Sequence, residues 1–213
     1  MLKIWGRKTS SNVQAVMWGV GELGLAYQRF DLGHRFGGLD TPDFLAMNPN
    51  GAIPVLVDGD DPPIWESAAI LRYLAARYGA APFWPEDPAA RAQVDKWAEW
   101  AKVNVSDAFT APIFWRVVRT APQDRNPAAI ARGIANLARV FDIAEAQLAR
   151  HAHLAGEAFT LADVAFGHVL YRYYDIEIDR PDHPAIARYY KALTERPAFR
   201  EHVMVSYEEL RAL

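Results

Sequence analysis

The 213-residue chain contains no cysteine. That absence removes disulfides, thiolate metal sites and every mechanism that runs through a protein thiol, so any sulfur chemistry must bring its sulfur on the ligand. Long apolar runs are missing as well: nothing approaches the roughly 20 residues of a membrane span. Met1-Leu2-Lys3-Ile4-Trp5 is too short for a signal peptide, and the expected compartment is cytoplasmic. Positive charge is not in excess. The 23 Lys and Arg against 26 Asp and Glu leave a net charge of −3, which argues against a general nucleic-acid binder. The six histidines show no metal-ligand spacing, since His151 and His153 are too close to share a helix face. No Ser-His-Asp constellation, repeat or low-complexity tract is present. What remains is a composition of 51% hydrophobic and 23% charged residues, that of an ordinary globular protein with room for one large domain or two small ones.

The first eighty residues alternate between strand and helix patterns. Leu2 to Trp5 reads as a strand, and Val13, Val16, Met17, Val20 and Leu23 recur at helical spacing behind the N-cap formers Ser10, Ser11 and Asn12. Tyr27 to Leu32 is a second strand, and Thr41 caps a short helix with Pro42 at its first position. The turn-forming Asn48-Pro49-Asn50-Gly51 leads into a strand from Pro54 to Val57. Asp58 to Asp61 reads as a hairpin turn, Pro63 to Trp65 as a fourth strand, and Glu66 to Tyr78 as a helix. The proline-rich stretch 80–88 looks like a linker. Beyond it the pattern is helical throughout, with Asn126-Pro127 opening a long helix, Thr160 and Asp163 at capping-box spacing, and Pro184 and Pro197 opening shorter helices.

Three groups of residues carry chemistry. Pro54 at a strand mouth leaves the Ile53 backbone free to pair with an extended peptide. Glu66 and Ser67 open a helix, where free N–H groups attract a carboxylate while the Glu66 side chain can take an ammonium. At Ser10-Ser11-Asn12, helix capping and stabilisation of an anion in front of the helix are both consistent with the residues. Energetically, two units of thiol acidification need about 2.7 kcal/mol, which one charged hydrogen bond (~1.5–3 kcal/mol) and a helix N-terminus (~0.3–1 kcal/mol) supply. The match of Gly19, Gly21 and Gly24 to a dinucleotide fingerprint falls at the end of a helical pattern instead of following a strand, so no nucleotide is expected.

The motifs N-P-x-G-x-I-P-V-L (from Asn48), W-E-S-x-A-I (from Trp65) and F-T-L-A-D-V (from Phe159), in this order across nearly the whole chain, resemble those of the soluble glutathione transferases, of the bacterial theta- or delta-like serine type. The resemblance implies a thioredoxin-like α/β domain over residues 1–80 that binds glutathione and an all-α domain over 88–213 that adds a hydrophobic acceptor site. It further implies a cytoplasmic homodimer with a detoxifying activity: conjugation of glutathione, as co-substrate and without metal or nucleotide, to an apolar electrophile. On these motifs, the Ile53 backbone and cis Pro54 hold the cysteinyl unit, and Glu66 and Ser67 hold the γ-glutamyl end. Ser10 stabilises the thiolate, with Asn12 as runner-up. Ala68 stands where delta-type members often carry a basic residue, which leaves Asn50, His34 or Arg35 for the glycyl carboxylate. Trp115 and Tyr171 are the expected acceptor-pocket aromatics. A non-catalytic ligand carrier, or a glutathione-dependent isomerase or peroxidase, would fit the same fold.

Overall fold

The computed structural model describes residues 1–212. Strand β1 (Leu2–Trp5) pairs in parallel with β2 (Tyr27–Phe30) and antiparallel with β3 (Val55–Asp58), which pairs with β4 (Ile64–Trp65), giving the order β2-β1-β3-β4. The parallel β1–β2 step requires a crossover, and α1 (Ser11–Glu22) provides it. After β2, α2 (Pro42–Met47) follows, and α3 (Ser67–Tyr78) closes the unit. Strands two and four are shorter than their sequence patterns suggested. This is the thioredoxin-like arrangement.

The helical part begins with α4 (Pro88–Trp100), which continues unbroken through a π-helical segment at Ala101–Ser106, an α turn at Asp107–Phe109, a second π segment at Thr110–Trp115 and a last α turn at Arg116–Val118. Pro112 has no N–H for the ordinary ladder, and the second wide segment accommodates it inside the helix. Wider turns return about every fourth residue to the same side, so Lys102, Ser106, Thr110 and Phe114 all line one cavity. Then come α5 (Pro127–Leu148), α6 (Leu161–Gly167), α7 (Leu170–Asp175), α8 (Pro184–Thr194) and α9 (Pro197–His202). Asn126 and Thr160 cap their helices through their side chains, and Thr160 and Asp163 complete the capping box. The Asp163 carboxylate is fully buried and accepts from the Thr160 N–H (2.7 Å), the Leu154 N–H (3.0 Å) and the Tyr189 hydroxyl (2.8 Å).

Helix α1 joins the two halves. Every residue from Val13 to Val20 is buried, because the sheet and α3 cover one side and α9 and α6 the other. Trp18 stacks edge-on to Phe199 at 4.8 Å, and its indole N–H donates to Glu22 (2.7 Å). Glu22 in turn receives a bidentate pair from Arg196. Two glycines of the apparent nucleotide fingerprint are packing devices: a Cβ at Gly19 would lie 2.6 Å from Leu71, and one at Gly21 2.9 Å from Ala198, whereas Gly24 has open space around it and turns the chain at φ +63. Among the described residues no helix is long and apolar enough to cross a membrane, and no cluster of ligating side chains is arranged to hold a metal ion.

Candidate functional site

The Asn48 turn is built from inside. Asn48 is buried; its Oδ1 accepts from the backbone N–H and the side-chain amide of Asn50, and its Nδ2 donates to the Ala52 carbonyl at 2.7 Å. This fixes the segment entering β3, where the Ile53–Pro54 bond is cis and the Ile53 main chain makes no hydrogen bond among the described residues. Gly6, at φ +148, lets the end of β1 approach Ile53; a Cβ there would sit 2.5 Å from Val13. Asn48 and Gly6 were not among the expected site residues, yet both set the edge to which a peptide would pair.

Glu66 precedes α3 at φ +69, a region costly for any side chain with a Cβ, and is exposed. Ser67 behind it is buried, and its hydroxyl donates to Asn12 Oδ1 at 3.3 Å. The serine offers its helix-start N–H to a ligand, while its hydroxyl is directed inward to Asn12.

At the front of α1, Ser10 is the N-cap residue but makes no side-chain capping bond. Its hydroxyl therefore lines the adjoining cleft uncommitted, beside Ser11 and Asn12. Asn12 is held on one side only. Lys102 Nζ, reaching across from the helical half, donates to Asn12 Oδ1 at 3.0 Å, alongside Ser67. An ammonium has no acceptor capacity, so the atom facing it must be the amide oxygen. The two N–H bonds of Asn12 are thereby left to point elsewhere, as donors. Behind Lys102 and Ser67, His168 is fully buried; burial first, then the charge of Lys102, pushes its imidazole down to about 3, so it is neutral.

The cleft between the halves has a volume of about 400 Å³. An apolar lining with Trp115 and Tyr171 was expected. Trp115 and Phe114 do line it, but Tyr171 does not; it packs edge-on to Tyr207 with ring centres 6.4 Å apart. Four cationic side chains line it instead: Arg7, Lys102, Arg119 and Arg172. Arg172 is 3% exposed, donates to the Thr9 carbonyl at 2.7 Å and stacks on Phe114 at 4.7 Å. Burial lowers it to about 10, and Arg7 and Arg119 push in the same direction while Tyr207 opposes them.

Of the three residues expected near the glycyl carboxylate, Arg35 is engaged elsewhere: it pairs with Glu209 (3.1 Å) and stacks on Phe36. His34 and Asn50 line a shallow neighbouring hollow together with Gly33 and Gly51.

Known proteins resemble this chain in sequence and fold. The family described as glutathione S-transferase, N-terminal domain, matches residues 9–77, and glutathione S-transferase, C-terminal domain, matches residues 127–192. Glutathione S-transferase GstB of Escherichia coli (strain K12) is 39% identical over 206 residues, 96% of this chain and 99% of the relative. Glutathione S-transferase 3 of Zea mays is 34% identical, over 95% of this chain and 93% of its own. Among solved structures, the theta class glutathione S-transferase of Xanthomonas axonopodis pv. citri with glutathione bound superimposes with a TM-score of 0.91 at 40% identity, covering 96% of this chain and 98% of that one. On sequence and fold together, the chain belongs to the glutathione S-transferase family.

Proposed function

We propose that this protein conjugates the thiolate of glutathione to an electrophilic small molecule, with Asn12 and Ser10 at the start of α1 stabilising the thiolate. The observation that carries this reading is the one-sided fixing of Asn12: Lys102 and Ser67 hold its oxygen, and its N–H bonds remain for an anion. Ser10 adds a hydroxyl free of capping duty, and the helix end adds partial positive charge. Asn12, the runner-up on sequence, takes the larger share because its orientation is set before the ligand arrives.

Glutathione lies along the free Ile53 backbone with its γ-glutamyl carboxylate at the Ser67 N–H and its ammonium at Glu66. The glycyl end runs toward His34 and Asn50, with Arg35 engaged by Glu209. Residues 1–80 supply this grip, and residues 88–213 supply the acceptor side together with Lys102. The working unit is a cytoplasmic homodimer; exposed Trp65 and Val103 are apolar surface consistent with a partner copy.

The test is calorimetry with glutathione combined with ultraviolet absorbance of the bound thiolate, on the parent protein and on Asn12→Ala and Ser10→Ala. Binding with a thiolate signal that weakens most in Asn12→Ala supports the reading. Tight binding without any thiolate signal in the parent would sink it in favour of a ligand carrier.

A further inference from the structure

The acceptor side of the cleft is the part of this molecule that departs most from its expected chemistry. Arg7, Lys102, Arg119 and Arg172 line it, against one acidic side chain, Asp107. None of the four cations forms an ion pair among the described residues. Lys102 is engaged with the neutral Asn12 amide, and Arg172 with a backbone carbonyl. The Nε atoms of Arg7 and Arg172 are buried without a hydrogen-bond partner. Glu209 is near enough to favour the charge on Arg7, but its carboxylate already serves Thr9 and Arg35.

Bringing several guanidinium groups together while withholding carboxylates is unfavourable in the free protein. Burial depresses Arg7 and Arg119, and the charge of Arg119 depresses Arg7 further. The arrangement is held by packing: Arg172 is stacked on Phe114 and Tyr207, and Arg119 lies over Trp115 at 5.0 Å. Preorganised guanidinium groups without a carboxylate partner, beside the exposed Trp115 ring, form a receptor for a planar body bearing an anionic group.

We propose that the electrophile accepted here carries a carboxylate, which docks on Arg7 and Arg119 with the buried charge of Arg172 behind them, while its apolar body lies against the exposed Trp115. This rests on the glutathione transferase reading and narrows its substrate class from apolar to anionic. In the reaction, the sulfur lone pair of the thiolate attacks the electrophilic carbon. For an aryl halide the new C–S bond replaces the C–Cl bond, chloride leaves with its electron pair, and nothing is oxidised or reduced. The carboxylate takes no covalent part.

The experiment compares a chloronitrobenzoate with its methyl ester, at equal glutathione saturation, in the parent, Arg119→Gln and Arg7→Gln proteins, with glutathione affinity measured separately in each. With each kcat/KM divided by the uncatalysed rate of the same compound with glutathione, since an ester activates the ring more than a carboxylate does, the parent should prefer the acid by roughly 10- to 100-fold, the range of one charge-assisted bond. That preference should shrink with added salt and fall about 10-fold in Arg119→Gln. An ester used as well as the acid in the parent would overturn the inference while leaving the transferase reading intact. Glutathione affinity lost in both variants with an unchanged acid-to-ester ratio would likewise overturn it, assigning the arginines to glutathione. If neither compound yields conjugate although glutathione binds, the transferase reading itself fails and takes this inference with it.

Discussion

Replacing Asn12 by aspartate isolates the property argued to activate glutathione. The substitution keeps the shape and the oxygen that Lys102 (3.0 Å) and Ser67 (3.3 Å) hold, and exchanges the two N–H donors for a second oxygen. A hydrogen bond to a charged acceptor contributes about 1.5–3 kcal/mol, and one pKa unit corresponds to about 1.4 kcal/mol. Loss of the donor therefore raises the bound thiol by roughly 1–2 units, and the carboxylate adds repulsion in the same direction. The sign follows: a thiol with a higher pKa holds less thiolate at any pH below it. At pH values under both midpoints, kcat/KM should fall roughly 10- to 100-fold, and the gap should narrow to a few-fold above about pH 9, where both thiols are ionised. The assay is a pH profile of kcat/KM with thiolate absorbance of the bound glutathione recorded alongside. A profile whose midpoint does not move, in a variant that still binds glutathione, would refute the reasoning and return the role to Ser10.

The remaining predictions concern stability. Asp163→Ala strands three buried donors and should cost more than about 3 kcal/mol, or prevent accumulation of folded protein, whereas Thr160→Ala should cost about 1 kcal/mol; urea midpoints distinguish the two. Gly167→Ala places a methyl 2.5 Å from Leu193 and 2.9 Å from Trp18, and should lower stability by about 1–3 kcal/mol, read as a drop in Tm. His168 binds its proton far more weakly folded than unfolded, so stability should decline as pH falls from about 6.5 toward 3, by up to a few kcal/mol, roughly. In His168→Leu the denaturation free energy measured across that window should lose this part of its slope.

The fold was legible because its punctuation is strong. The Asn48 turn, Thr41-Pro42, Asn126-Pro127 and Thr160 to Asp163 each fix a boundary through local chemistry, and each stands where the sequence pattern put it. The cleft was less legible, for two physical reasons. Lys102, Ser106, Thr110 and Phe114 recur every four residues, but three of them are polar, so the side they share reads in sequence as a solvated helix face and not as a pocket wall. Arg7, Arg119 and Arg172 lie far apart in the chain, and an isolated arginine in sequence reads as a solvated one. Only their convergence gives them meaning. Ser10 was identifiable as a helix start, but that its hydroxyl stays out of the cap could be learned only from the geometry.

The bond from Lys102 to Asn12 crosses from one half of the protein to the other. On the proposed reading the first eighty residues grip the tripeptide and supply one of the two donors that orient Asn12, Ser67, while the second, Lys102, comes from the helical half. Full orientation of the proposed thiolate donor is then a property of the docked pair, because one of its two restraints is made only when the helical half is in place.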